Sequence, residues 1–405
     1  MLSSRAMLEV RVIRDDEVEA FRDCVMTTFG DDPEIDPNGA ARTRALVAPG
    51  RAWAAFDRGT IVATAGTAAF TVGVPGGALA MAGLTAAAVR PTHRRRGLLR
   101  ELIRLHLADA RAHGEPLSGL WASEATIYGR FGYGVAAELD ALRIDTRGLV
   151  VAPVGEPDRC AWVDAAAALA RLPAIYARAT AERPGAQRRS DVWWRERRFL
   201  EAPFMRDGAS LRRHVIVERD GADVGYIAYR QRSQERDDVH SGVVEIIELI
   251  AVDPRAEATL WQFVAGVDLF TTATWAHAPV DCVLPWLASD ARRVVRRRSD
   301  GLWLRVDDVA ATLAARRYAA DGALRLAVGD ATWALSVEAG RGECVRSDDT
   351  PELRVELASL GSLVLGGISP ALLARAGRIT GSAEAVARAG RLFTWPIAPW
   401  CPEVF

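Results

Sequence analysis

The pattern of apolar and polar positions divides the chain into three stretches, each mixing strands with helices. In the first, Ala52 to Phe56 and Thr60 to Ala68 are runs of apolar and small residues around Asp57-Arg58-Gly59, which predicts two strands and a hairpin turn. Leu84 to Val89 predicts a further strand. After Pro91 and a basic loop, Leu98, Leu102 and Leu105 recur at helical spacing, predicting a helix from Gly97 to about His113 that ends at Gly114. Leu117 to Ala122 is a short apolar strand, a helical turn leads into Tyr128-Gly-Arg-Phe-Gly-Tyr-Gly134, and Leu139 to Ile144 closes a first unit placed at residues 1–149.

The second stretch, residues 150–298, repeats that outline. His214 to Glu218, Asp223 to Tyr229 and Val243 to Val252 predict strands, and Glu257 to Leu269 a helix. Leu249-Ile-Ala-Val-Asp-Pro-Arg255 precedes a helix as Ala87-Ala-Val-Arg-Pro-Thr92 does, which points to an internal repeat, although a strand, a proline and a helix also coincide by chance. The second copy lacks the Arg-Arg-Gly step, so it is expected to have lost whatever the first copy binds. The third stretch, 299–405, has extended runs at Gly301 to Val306, Leu324 to Val328, Thr332 to Val337 and Leu353 to Val355; Leu360 to Leu365, Pro370 to Gly377 and Ala383 to Arg391 follow. The chain ends in Trp395, Ile397, Trp400 and Phe405, too much apolar surface to leave loose in water, so a docked tail is expected.

Composition narrows the chemistry. Half of the 405 residues are apolar and a quarter charged, as in an ordinary globular protein of two or three domains. All 51 basic side chains are arginine; there is no lysine. That excludes a Walker A loop, a protein kinase, pyridoxal phosphate chemistry and Schiff-base aldol chemistry, each of which needs a lysine amine. A net charge of -1 gives no general pull toward nucleic acid, and the run Arg292 to Arg298, without interleaved aromatics, reads as a solvated or interdomain face. Five scattered cysteines, none in a CxxC pair, suggest neither a metal site nor a disulfide framework and fit a reducing cytoplasm. The first residues lack a secretory core, and Gly73 to Val89, with Pro75 and many small residues, is a poor membrane span.

The strongest local signal is Leu84-Thr-Ala-Ala-Ala-Val-Arg-Pro-Thr-His-Arg-Arg-Arg-Gly-Leu-Leu-Arg100. A strand enters an arginine-rich loop and a glycine opens an amphipathic helix, whose first N–H groups and positive dipole end suit a phosphate. The basic loop alone fits a charged surface equally well. With the next strand and the tyrosine that follows, Arg94-Arg-Arg-Gly97 resembles the pyrophosphate-binding signature of the GNAT acetyltransferases. Leu99 stands where that signature usually has glycine or alanine. Pro91 to Arg100, Ala122-Ser-Glu-Ala-Thr-Ile-Tyr-Gly-Arg-Phe-Gly-Tyr-Gly134 and Asp300-Gly-Leu-Trp-Leu-Arg305 together look like the enhanced-intracellular-survival (Eis) family of actinobacterial N-acetyltransferases, relatives of the aminoglycoside acetyltransferases tied to antibiotic resistance.

The resemblance implies an α+β protein of two tandem GNAT folds, the second without cofactor, followed by a sterol-carrier-protein-like domain, assembled as a homohexamer in the cytoplasm. It implies acetyl-CoA as cosubstrate, with pantetheine on the backbone of Ala87, Ala88 and Val89, diphosphate on Arg95, Arg96, Gly97, Leu98, Leu99 and Arg100, and Ser123 and Glu124 bordering the cleft. Direct attack by an amine needs a base, an oxyanion donor and an acid for the leaving thiolate. The implied acid is Tyr128, which could also be one more core aromatic beside Phe131 and Tyr133; the donor is the Val89 N–H; the base is the terminal carboxylate of Phe405, which, with Val404 standing where the family tail often has an acidic residue, could also be only a packing residue. Asp31, Asp32, Glu34 and Asp36 are candidates for a cationic amine, or simply a solvated loop. The acceptor expected is an aminoglycoside or another polyamine or lysine-bearing molecule, with an unrelated small amine or a non-catalytic lipid- or protein-binding scaffold as rivals. No metal, nucleic acid or membrane is implied.

Overall fold

A computed structural model of the chain describes residues 8–236 and 239–405; the extreme N-terminus read above for a secretory core begins outside them. The first sheet opens with β1 (Glu9–Val12), β2 (Ala52–Asp57), β3 (Thr60–Val74), β4 (Gly77–Val89), β5 (Leu117–Trp121) and β6 (Gly134–Val135). Between β1 and β2 lie α1 (Val18–Phe29) and α2 (Gly39–Leu46), neither of which stood out in the sequence; α3 (Leu98–Ala112) and the single turn α4 (Ala125–Tyr128) flank β5. Strand alternation decides the two faces. Trp53 and Ala55 of β2 join Leu98, Leu102 and Ile103 of α3, whereas Ala52, Ala54 and Phe56 join Phe21 and Cys24 of α1, so β2 is covered on both sides. The β2–β3 turn is the expected two-residue loop, with Arg58 and Gly59 at φ 50° and 79°, the left-handed pair that matches strand twist. The β3–β4 hairpin is longer than the sequence implied, because the Ala/Gly/Thr segment on either side of Pro75-Gly76 is paired throughout.

The chain then enters a second compact unit, residues 137–301 with 397–403. Its sheet is built from β7 (Glu138–Asp145), β8 (Arg159–Val163), β9 (Arg213–Arg219), β10 (Ala222–Arg232), β11 (Gly242–Ala251), β12 (Phe270–Ala278) and β13 (Val294–Asp300), in the order β13-β7-β12-β11-β10-β9-β8, with α5 (Ala165–Ala179) and α6 (Pro254–Ala265) against it. The Leu139 to Ile144 segment, expected to close the first unit, therefore belongs to the second sheet. Conversely β14 (Leu302–Val306) pairs with β5 and β6, which completes the first sheet as β1-β2-β3-β4-β5-β14-β6.

The first unit continues with a third sheet of β15 (Gly322–Val328), β16 (Ala331–Glu338), β17 (Arg341–Ser347), β18 (Leu353–Val355) and β19 (Ile379–Gly381), ordered β17-β16-β15-β18-β19. Helices α7 (Val309–Ala315), α9 (Pro370–Arg375) and α10 (Ala383–Phe393) accompany it, while α8 (Leu357–Leu363) packs against β14 and β6 of the first sheet. Arg316, buried without a carboxylate, donates to the carbonyls of Leu363, Val364 and Phe393 and so ties the C-terminal ends of α8 and α10 together; burial lowers its pKa to about 10. Residues 397–403 lie in the second unit and the final two in the first, and the tail is docked: Trp400, Cys401 and Glu403 are buried and Phe405 is half-buried. No helix of the described residues is long and apolar enough to cross a membrane.

Candidate active site

The site is built where two parallel strands part. β4 and β5 pair only from Met81–Gly83 to Leu117–Gly119; β5 is paired with β14 on its other edge from Leu117 to Trp121, and beyond Gly83 β4 stays with β3 alone. Beyond Gly83 the outer edge of β4 thus carries no strand among the described residues. A bulge opposite Thr64 to Gly66 shifts the register there, and Ala86 sits at φ 52°, a left-handed conformation an alanine adopts only under constraint. The Thr64 hydroxyl holds it by donating to the Ala86 carbonyl at 2.7 Å. The Arg90 N–H bonds the Val62 carbonyl of β3 at 2.9 Å, so by alternation the Val89 N–H faces the open edge. By the same alternation the Ala88 backbone groups turn back toward β3, so Val89 and not Ala88 presents its N–H to the gap.

That edge runs directly into the basic loop. Pro91–His93 forms a tight turn, Arg95 takes φ 62°, and Gly97 opens α3 at φ 82° with no side-chain cap. A Cβ on Gly97 would meet nothing within 4 Å, so glycine is required for its backbone angle. Leu98 packs into the core and Leu99 is half-buried, while Arg94, Arg95, Arg96, Gly97 and Arg100 face solvent. The first N–H groups of α3, without a side-chain cap, and these exposed guanidinium groups are donors of the kind that suits an anion. Two residues not singled out in the sequence fix its base: His93 Nε2 lies 3.0 Å from Asp57 Oδ2, with Thr92 Oγ1 2.8 Å from the other ring nitrogen. The hydrogen bond from His93 holds the Asp57 carboxyl below its usual range. The motif spacing could not reveal Asp57, because it comes from the β2–β3 turn.

On the other strand, Tyr128 ends α4 and is only 4 % exposed. Burial raises its pKa, against an opposing hydrogen bond with Ser123, so the phenol stays protonated at neutral pH. Ser123 and Glu124 are exposed at the end of β5. The Tyr128 ring meets Tyr133 edge-on at 6.2 Å, and Tyr133 closes a buried chain: its hydroxyl lies 2.6 Å from Ser118 Oγ, which is 2.7 Å from His106 Nε2, whose Nδ1 is 2.7 Å from Thr67 Oγ1. Burial lowers His106 to about 3, so this chain is neutral and fully paired. Tyr128 is thus both a core aromatic and the sole tyrosine of the segment beside Ser123. The Phe405 ring lies 4.7 Å from that of Phe70, tilted by 51°, and a Cβ on Gly83 would approach it within 3.0 Å, which puts the last residue over the point where β4 and β5 separate.

The acidic segment divides. Asp36 pairs with Arg42 and its carbonyl accepts from Arg22 at 3.0 Å, so it braces α1 and α2. Asp32 caps its own turn through the Glu34 N–H at 3.0 Å; Asp31, Asp32 and Glu34 remain exposed. No group of three or more metal-binding side chains occurs among the described residues.

The second unit repeats the strand gap without the anion site. β11 and β12 pair in parallel from Gly242–Ile246 to Phe270–Trp275 and then separate. At the start of α6, however, Asp253 Oδ1 accepts the Ala256 N–H at 2.9 Å, Pro254 has no N–H to offer, and Arg219 pairs with Asp253 at 2.7 Å and with Asp158 at 2.6 Å. A carboxylate occupies the place where an anion would sit.

Comparison with known proteins accords with this geometry. Residues 9–136 and 185–317 each match the acetyltransferase (GNAT) domain, and residues 309–402 match the sterol carrier protein domain. An uncharacterized N-acetyltransferase of Streptomyces avermitilis is 36 % identical over 408 residues, covering 98 % of this chain and 99 % of its own. The N-acetyltransferase Eis of Mycobacterium tuberculosis is 36 % identical over 314 residues, 74 % of each chain. The crystal structure of Eis1 from Mycobacterium abscessus superposes with a TM-score of 0.83 at 30 % identity, covering 98 % of this chain and all of that one.

Proposed function

Since the chain belongs to the Eis family of GNAT N-acetyltransferases, we propose that it transfers acetyl from acetyl-CoA to cationic amines by direct attack in a ternary complex, with aminoglycosides and other polyamine or lysine-bearing molecules as acceptors. The observation that carries this reading is the uncapped, arginine-flanked start of α3 beside the open edge of β4. Ala87 and Val89 would take the pantetheine amides, and Arg95 to Arg100 the diphosphate. Bound acetyl-CoA supplies the acetyl group as a thioester.

The chain's own groups then do the following. The terminal carboxylate of Phe405, an acceptor at neutral pH, takes the proton that the substrate ammonium must lose. The Val89 N–H bonds the acetyl oxygen as the amine nitrogen attacks. Tyr128 gives its proton to the sulfur as the carbon–sulfur bond breaks. One nitrogen–carbon bond replaces one sulfur–carbon bond; of the two protons the nitrogen loses between ammonium and amide, the first goes to Phe405 and on to water, and the second restores the proton that Tyr128 gave to the sulfur. Asp31, Asp32 and Glu34, exposed on the loop after α1, would attract a polycation.

The test is thiol release from acetyl-CoA by untagged protein against aminoglycosides, polyamines and lysine peptides. Turnover with several polycationic amines is expected. Silence across the panel from protein that still binds acetyl-CoA would contradict the acceptor class, and failure to bind acetyl-CoA would contradict the reading as a whole.

A further inference from the structure

The C-terminal segment ends in a feature that apolar docking does not require. Three residues from the chain's end, Glu403 is 1 % exposed. One of its oxygens is paired with Arg189 Nε, and the other accepts the Trp193 indole N–H at 2.7 Å. Arg189, equally buried, forks its remaining N–H groups onto Glu248 at 2.5 and 3.1 Å, and Glu248 also accepts from the Tyr226 hydroxyl at 2.5 Å and pairs with Arg198 at 2.9 Å. Two carboxylates and two guanidinium groups thus make a neutral, hydrogen-bonded cluster with no solvent access at its centre. Such a cluster gains little stability over apolar packing, because desolvation offsets the attraction. What it gains is register: a slip of one residue would take the Glu403 carboxylate away from its donors and leave the buried Arg189 Nε–H unmet, while Glu248 keeps the rest of that guanidinium.

The cluster lies in the strand gap of the second repeat. β11 and β12 stop pairing at Ile246 and Trp275. Two residues beyond, Glu248 of β11 reaches Glu403 through Arg189, and the His277 carbonyl of β12 accepts the Trp400 indole N–H at 2.9 Å. The tail backbone is held as well: the Trp400 N–H bonds the Pro184 carbonyl at 2.8 Å, Arg183 bonds the Ala398 carbonyl at 2.8 Å, and a Cβ on Gly185 would come within 3.0 Å of the Trp400 carbonyl oxygen.

We propose that the strand gap of the second repeat is a binding site for the chain's own C-terminal segment, and that Glu403 is a positioning residue that sets the register from which the terminal carboxylate of Phe405 is presented. The docking stands on the contacts above; its consequence for catalysis rests on the role given to Phe405 under the proposed function.

Carboxypeptidase A, which removes C-terminal aromatic residues, reads the docking without reference to activity. With the full chain and intact-mass detection, Phe405 of the wild type should be lost slowly and that of Glu403→Gln about tenfold faster or more, since cleavage follows the population of released tail. Trp400→Phe, which removes one neutral hydrogen bond and keeps the ring, should fall between them. Equal trimming rates in all three proteins would overturn the proposal. In the same Glu403→Gln protein, kcat should fall about tenfold with KM for acetyl-CoA unchanged, a split that general loosening of the fold would not give. Faster trimming with unchanged kcat would uphold the docking and overturn the assignment of the base to Phe405.

Discussion

α3 follows a strand and a turn that bears Pro91, and α6 follows a strand and opens on Pro254 itself, yet their first turns are opposites. α3 begins at an uncapped glycine among exposed arginines; α6 begins at an aspartate that caps it and is itself held by Arg219. The strand gaps differ likewise. Among the described residues the outer edge of β4 beyond Gly83 has no strand partner, whereas the gap between β11 and β12 contains Trp400 and the Arg189 cluster. The fold therefore supplies a site, a helix N-terminus beside splayed strands, and the residues at its mouth decide whether a ligand or the protein fills it. Asp253 accepts in the second copy from a helix-start donor of the kind that has no side-chain cap in the first.

The contrast can be pressed experimentally. The largest effect should come from Tyr128→Phe, which keeps the ring and deletes the proton donor: kcat should fall roughly 10²- to 10⁴-fold with acetyl-CoA affinity unchanged. Unaltered kcat would leave Tyr128 as a packing residue like Tyr133. A far smaller effect is expected from Asp253→Ala. Loss of that cap should cost about 1 kcal/mol in the second unit, read as a lower melting temperature, without creating a second acetyl-CoA site, because the tail still fills the gap. Arg219 holds the Asp253 carboxyl below its ordinary pKa of 3.8, so its stabilising contribution is complete above that value and is lost as the pH falls through the depressed one. The melting difference between wild type and Asp253→Ala should accordingly close in acid. A difference that persists below that range would mean the cap acts through shape and not through charge.

Much of this was legible in the chain, for physical reasons. Arg94 to Gly97, taken with the tyrosine segment, pointed to the family that the relatives show, and the match of Leu249 to Arg255 with Ala87 to Thr92 pointed to the second GNAT domain. The apolar tail had to dock, and it does. Strand partners were not legible: alternation reports that Leu139 to Ile144 and Gly301 to Val306 are extended, but not that the first belongs to the second sheet and most of the second to the first sheet. Long-range pairing leaves no local mark. The same limit hid Asp57 beneath His93 and Arg189 around Glu403, since each pair joins residues far apart in the chain. Asp36, grouped with the other acids by proximity in sequence, turned out to be bound to Arg42, which only the helix packing could reveal.

The central claim is that the first copy alone holds acetyl-CoA, through the free start of α3. Calorimetric titration of acetyl-CoA into wild-type protein and Gly97→Asp tests it most directly. The substitution places a carboxylate at that helix start, as in the second copy, and at φ 82° also strains the backbone. The account predicts one site per chain in the wild type and at least about 100-fold weaker binding in the variant, which corresponds to roughly 2.7 kcal/mol. Two sites per chain, or full affinity in Gly97→Asp, would contradict it.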